Sequence, residues 1–342
     1  MNNWRDALND GVVIPACPLA LDDNGEWSEK HQAALLRYYR ESGAGGVAVG
    51  VHTTQFEIRS PKIGLYEAVL RLTSDTLDSI ASPSFVRVAG ICGSTKQAIS
   101  EAELAGSLNY HCGLLNVAAL KNESDTVRLE HCRRVADALP VFGFFLQPAV
   151  GGCVLSYNFW RQFCEINNVV AIKIAAFNRY QTWDVIRAVI DSGRNDIALY
   201  TGNDDNIIND LLTPFRHNNT TRFFAGGLLG QWAVWTKRAV SMLAEIKEAR
   251  RNAELPIEWL TRNAELTDAN AAIFDAANDF RGCVPGINEL LRRQRLLPSA
   301  RCLNINEVLS PGQSAELDRV CAAYPHLTDG SFVLSRVDEW LR

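Results

Sequence analysis

Val169-Val170-Ala171-Ile172-Lys173-Ile174-Ala175-Ala176-Phe177 is a run of apolar residues broken once, by a lysine. Strands of a parallel sheet are covered on both faces and read as continuous apolar runs, not as alternating ones. Amphipathic stretches flank the run, Tyr157–Asn167 before it and Tyr180–Ser192 after it. The same rhythm continues outward in both directions. Upstream, Val12–Cys17 precedes a helical pattern over Ser28–Ser42, Gly46–Val51 precedes Gly64–Ile80, and Phe85–Cys92 precedes Thr95–Ala105. Gly113–Ala119 then leads to Ser124–Ala138, and Val141–Leu146 to the helix before the quoted run. Downstream, Ile197–Thr201 leads to Ile207–Arg216 and Arg222–Ala225 to Gln231–Ala249. Ser28 suits an N-cap, and Gly43 and Gly45 stop the helix that follows it. Eight strand–helix units predict a closed (β/α)8 (TIM) barrel. An open doubly wound sheet would want a phosphate-binding GxGxxG after its first strand, and Pro15-Ala16-Cys17-Pro18-Leu19-Ala20 carries none.

Beyond residue 250 the rhythm changes. Leu255–Glu265, Asp268–Asp279, Ile287–Leu296, Ser314–Ala323 and Arg336–Leu341 read as helices, with no clear strand among them. No Gly/Ser/Pro-rich linker precedes them, so residues 251–342 are expected as a C-terminal helical extension packed on the barrel of residues 1–250, within the same structural domain.

Of the 342 residues, 47% are hydrophobic and 21% charged, enough to fill a core and too few charges for a disordered chain. Lys and Arg number 34 against 39 Asp and Glu, a net charge of −5 without like-charge blocks, so neither nucleic acid nor a membrane surface is an expected partner. No apolar segment reaches 18 residues and the first ten residues have no apolar core, so neither a membrane span nor a signal peptide is expected. The nine cysteines include no CxxC pair, which excludes a zinc ribbon and suits reduced, buried thiols in a cytoplasmic protein. No metal site and no cofactor are expected.

Barrel active sites form at the C-terminal ends of the strands. There the chain offers His52, Thr53 and Thr54 after the second strand, Lys121 after the fourth, Gln147 after the fifth, Gly202-Asn203-Asp204 after the seventh, and Gly226-Gly227 at the eighth. Lys173 stands within the sixth strand, where burial disfavours its ammonium form; a neutral lysine amine can attack a carbonyl and form a Schiff base. Thr53 and Thr54, with the N–H groups of their turn, could hold a small carboxylate. A threonine-rich turn that merely caps the next helix has the same composition. His52 is a candidate acid or base. Asp204 and Asp205 read first as caps of the following helix.

Together these stretches resemble the dihydrodipicolinate synthase / N-acetylneuraminate lyase family over about residues 8–300. VVIPACPLALDDNGEWS (12–28) is similar to the family's first strand and turn, VHTTQFE (51–57) to its Gly-Thr-Thr-Gly-Glu loop, VVAIKIA (169–175) to its Schiff-base segment and LYTGNDD (199–205) to its Gly-Asx-Asp, and the Gly-rich stretch at the eighth strand and the C-terminal helices also fit. The resemblance implies a class I aldolase-type lyase without metal or organic cofactor, acting on a 2-keto acid or sugar acid. It implies Lys173 as the Schiff-base lysine and Thr53 and Thr54 as the carboxylate-binding pair. It also implies a homo-oligomer, dimer or tetramer. The helix around Trp232 and Trp235 carries apolar residues on more than one face, so it must bury two surfaces, one against the barrel and one against the extension or another subunit.

The chain departs from the family pattern where protons are moved. The Tyr-Asn-x-Pro motif aligns with Phe145-Leu146-Gln147-Pro148, which puts Phe145 in place of the relay tyrosine. The arginine of dihydrodipicolinate synthases falls at Val150, and the paired tyrosines after the fourth strand fall at Ala118-Ala119-Leu120-Lys121. True dihydrodipicolinate synthase activity is therefore not expected. Either His52, Tyr200 or Lys121 moves protons in a working lyase, or the protein is a non-catalytic paralogue that binds a keto acid as a sensor or partner.

Overall fold

The computed structural model describes residues 3–252 and 254–342. The barrel strands are β1 Val13–Pro15, β2 Gly46–Val49, β3 Val86–Ile91, β4 Cys112–Leu115, β5 Val141–Leu146, β6 Val169–Ala175, β7 Ala198–Thr201 and β8 Gly226–Leu229. All pair in parallel, in the order β1-β8-β7-β6-β5-β4-β3-β2. The seam between β1 and β2 is joined by the Ala16–Ala48 bridge, where Cys17 N–H donates to the Ala48 carbonyl at 2.8 Å. This is the expected (β/α)8 barrel with a helical C-terminal part.

Each strand is buried along its whole length because it faces two cores. The inner one, down the barrel axis, holds Ile14, Val88, Leu114, Phe142, Phe144, Leu146 and Tyr200. The outer one, between strands and helices, holds Val47, Ile91, Val141, Phe145, Ile172 and Leu199. Serine caps start several outer helices: Ser94, Ser124 and Ser156 accept from the N–H groups of Gln97, Val127 and Phe159. Gly43, at φ 90°, ends Glu29–Ser42 in the left-handed conformation a side chain resists.

Two expectations need correction, and one further element appears. Arg222 is not in the eighth barrel strand: Phe215–His217 and Thr220–Arg222 form an antiparallel hairpin, and β8 begins at Gly226. Left-handed Asn218 and Asn219 make the turn, and the Arg222 guanidinium donates to the Arg194 and Ile197 carbonyls. In the tail, Leu255–Glu265 and Asp268–Asp279 are replaced by a single helix, Glu258–Ile273, because Leu266 and Ala269 carry its buried stripe through Thr267-Asp268. A short helix, Trp4–Asp10, was not foreseen. Its Ala7 and Leu8 join the inner core at the N-terminal end of the barrel, and the Tyr200 hydroxyl donates to the Leu8 carbonyl at 2.9 Å.

Trp232 and Trp235 are buried within the chain. The helix beside them, Thr236–Ala249, starts under the tail: Asp329 accepts from the N–H groups of Lys237 and Arg238 and from the hydroxyl of Tyr38. Of the two covers expected for the second surface of this helix, extension or another subunit, the extension is the one met within the chain.

Candidate active site

Lys173 sits on β6 with its side chain inside the barrel, beside a cavity of about 580 Å³, mouth included, at the C-terminal ends of the strands. Its neighbour in the ladder on β5 is Phe144, and the ammonium nitrogen lies 4.5 Å from the centre of that ring. Gly202 makes room on the other side, since a Cβ there would stand 2.5 Å from the Lys173 Cε. Burial lowers the Lys173 pKa to about 8, against the opposing pull of Asp204 and Cys283. A tenth of such amines are neutral at pH 7, about 300-fold more than for an ordinary lysine.

Asp204, after β7, lines the same cavity and was missed as a site residue. It does not cap the next helix: Asn206 holds the N-cap position of Ile207–Leu212. Its Oδ1 is buried without a partner, and burial raises its pKa to about 7, against the pull of Lys173. The loop is held from the extension, where Asn270 Nδ2 donates to the Asp204 carbonyl and Thr267 Oγ1 to that of Asp205. Buried, oppositely charged and titrating close together, Asp204 and Lys173 are the kind of pair that accumulates where protons are moved.

His52 also lines the cavity. Burial first, and then the charge of Lys173, lower its pKa to about 4, so it is a neutral imidazole over the physiological range. Thr53 reaches the cavity wall, but its hydroxyl donates to the Ala16 carbonyl at 2.8 Å. Thr54 is fully buried off the wall; its hydroxyl donates to the Cys17 carbonyl at 2.7 Å and accepts from Val51 N–H. Both threonine hydroxyls therefore tie the turn His52–Thr54 to the end of β1. What the turn has left to offer an anion is its leading backbone N–H groups, which no helical turn satisfies internally.

The cavity brings together Lys173, His52, Thr53, Gln147 and Gly202 of the expected residues, and not Thr54, Asn203, Gly226 or Gly227. Asn203 is buried in a structural role: its Oδ1 accepts from Phe177 N–H at 3.0 Å and its Nδ2 donates to Asp210 at 2.8 Å. Gly226 and Gly227 lie inside β8, where a Cβ would strike the Val12 carbonyl oxygen at 2.3 Å or the Trp232 ring at 2.6 Å; Gly230 is the glycine at the wall. Of the other proton-transfer candidates, Tyr200 is directed to the N-terminal helix and accepts from Val12 N–H, and Lys121 follows a surface turn away from the cavity.

Phe145 needs a further correction. It points outward and packs on Trp160, with ring centres 5.7 Å apart. Side chains alternate along a strand, so the residue facing Lys173 is Phe144. The β5 side chains on the cavity wall are Phe144 and Leu146, and neither carries a hydroxyl. Val150 does lie on the cavity wall. Phe274, Phe280 and Cys283, which no reading of the tail nominated, supply part of the cavity wall.

No protein-family model matches this chain, nor does any curated protein sequence. Solved structures do resemble it. Dihydrodipicolinate synthase from Oceanobacillus iheyensis superposes with a TM-score of 0.74 at 17% identity, over 94% of this chain and 99% of that one. CdNal from Clostridium difficile, in complex with mannosamine, gives 0.74 at 14% over 92% and 99%. YagE, a prophage protein of the dihydrodipicolinic acid synthase family from E. coli K12 in complex with pyruvate, gives 0.73 at 17% over 91% and 97%. Over more than nine tenths of its length, this chain has the fold of the dihydrodipicolinate synthase structures.

Proposed function

We propose that the protein is a diverged member of the dihydrodipicolinate synthase / N-acetylneuraminate lyase family, a class I aldolase-type lyase that acts on a 2-keto acid through a Schiff base on Lys173. The observation that carries this reading is a lysine amine inside an apolar barrel, its pKa brought down to about 8, facing a cavity at the catalytic end of the fold. Pyruvate or its 4-hydroxy-2-keto acid adduct would place its carboxylate at the N–H groups of the His52–Thr54 turn and its keto carbon at the Lys173 Nζ. The amine adds to the carbonyl and water leaves, giving a protonated imine. That imine draws in the electrons of the C3–C4 bond as the 4-hydroxyl loses its proton, and an aldehyde departs. Protonation at C3 and hydrolysis by one water then return the keto acid and the amine. His52 and Asp204 are the groups on the wall able to carry these protons: one a neutral imidazole, the other a carboxyl near half-ionised at pH 7.

The test is reduction with borohydride in the presence of pyruvate. A single pyruvate-derived mass on the Lys173 peptide, lost in Lys173→Arg, is expected, because arginine stays charged and does not add to carbonyls. An adduct on Lys121, or none from a panel of keto acids, would overturn the assignment. A second reading, a keto-acid-binding protein without turnover, rests on Phe144 standing where a hydroxyl would relay protons. It predicts an adduct with pyruvate and no aldehyde consumed or released.

A further inference from the structure

Part of the wall of the lysine cavity is aromatic, and a second cavity shares it. Phe177, Phe274 and Phe280 line both the lysine cavity and a neighbouring one of about 360 Å³, which is also lined by Asp205, Thr267, Asn270, Ala271 and Ala276. Asp204 touches both. Phe177 and Phe280 meet edge to face, with ring centres 5.8 Å apart, and both are left-handed, at φ 50° and 63°. Bulky residues avoid that conformation, so it persists only where the surroundings impose it. Here they do. Asn203 Oδ1 holds Phe177 N–H, and Phe280 N–H donates to the carbonyl of Asp275, itself fixed through Gly282 N–H and Ser310 Oγ.

Polar atoms near the partition are mostly engaged already. Thr267 Oγ1 and Asn270 Nδ2 donate to backbone carbonyls, leaving the acceptors Asp204 Oδ1 and Asn270 Oδ1 unpaired. A polyhydroxylated chain laid against three phenyl rings could give at most two of its hydroxyls to those acceptors and would lose water at the others without replacing it. An apolar group would fill the space without that loss. Resting on the imine reading above, which fixes where the keto acid sits, we propose that the remainder of the substrate is apolar and aryl-sized, held against Phe177, Phe274 and Phe280 at the partition between the two cavities.

The test uses two non-reacting carboxylates on the full chain: 4-phenylbutyrate, with an aryl tail, and gluconate, with a hydroxylated one. Calorimetric titration is expected to give at least about ten-fold tighter binding of 4-phenylbutyrate. Phe280→Asn, which suits left-handed backbone, and Ala271→Trp, which fills the second cavity from the extension side, should each remove most of that preference. Gluconate binding as tightly as 4-phenylbutyrate, no binding of either, or a preference indifferent to both variants would overturn the proposal. Borohydride trapping with pyruvate runs beside it. An intact aryl preference without an adduct would bring down the imine and leave the apolar subsite standing; an adduct without aryl preference would do the reverse.

Discussion

Asp204→Asn separates what the carboxylate does to the lysine from what it does for the reaction. The negative charge of Asp204 is the larger of the two influences that hold the Lys173 pKa up against burial. At pH 8, near the lysine midpoint, Asp204 is already mostly ionised, because its own pKa is about 7. Removing that charge must therefore lower the Lys173 pKa. One opposite charge at close range is worth about one pH unit or more. With the midpoint falling from about 8 toward about 7, the neutral fraction at pH 7 rises from about a tenth to about a half, so imine formation should begin some five-fold faster there. The assay is the initial rate of borohydride-trapped pyruvate adduct from about pH 6 to 10, read for its midpoint and not its height. A lower plateau with a lower midpoint would mean that Asp204 also transfers protons. A midpoint that stays put or climbs would refute the electrostatic account of the lysine.

Three other substitutions probe the corrected site. Phe144→Tyr should restore a hydroxyl beside Lys173 and raise aldol cleavage over the unchanged chain, whereas Phe145→Tyr should only disturb the packing on Trp160; equal gains from both, in an aldehyde-release assay, would contradict the orientation of β5. Thr54→Val should lower stability by about 1–3 kcal/mol, because the hydroxyl joins two buried backbone groups. Urea denaturation checks it, and an unchanged midpoint would mean that the tie between β1 and the turn is dispensable.

The barrel was legible because its signal is repeated: eight apolar runs, each followed by an amphipathic one, leave few other architectures open. Lys173 was legible for a related reason, as a charge inside such a run. The failures are local. Phe145 was misassigned through motif counting, since Pro148 sets the spacing but the parity of β5 decides which side chain faces inward, and a one-residue slip exchanges the two faces. Asp204 was read as a cap because Asx residues before a helix usually are one; the signal that could have corrected it, a buried oxygen facing a lysine, exists only in three dimensions. Asn203 and the two threonines carried suitable chemistry, but the fold uses their hydrogen bonds to hold backbone. Phe274, Phe280 and Cys283 were out of reach, because nothing local indicates that a helical tail folds back over a barrel mouth roughly a hundred residues upstream.

The division of the cavity between two parts of the chain has a consequence for how such a protein diversifies. The Lys173 amine, and the glycine that gives it room, belong to β6 and the residue after β7, where a change disturbs the closed barrel. Phe274 and Phe280 belong to the segment between Glu258–Ile273 and Cys283–Arg293, clamped by Gln313, whose side-chain nitrogen donates to the Ala272, Ile273 and Gly282 carbonyls. Mutations in that clamped segment can reshape what the amine meets while leaving the amine itself alone. Under the proposed chemistry, selection can therefore retune the choice of substrate in the tail while the barrel keeps the lysine, so descendants of one ancestor can share a chemistry and have no substrate in common.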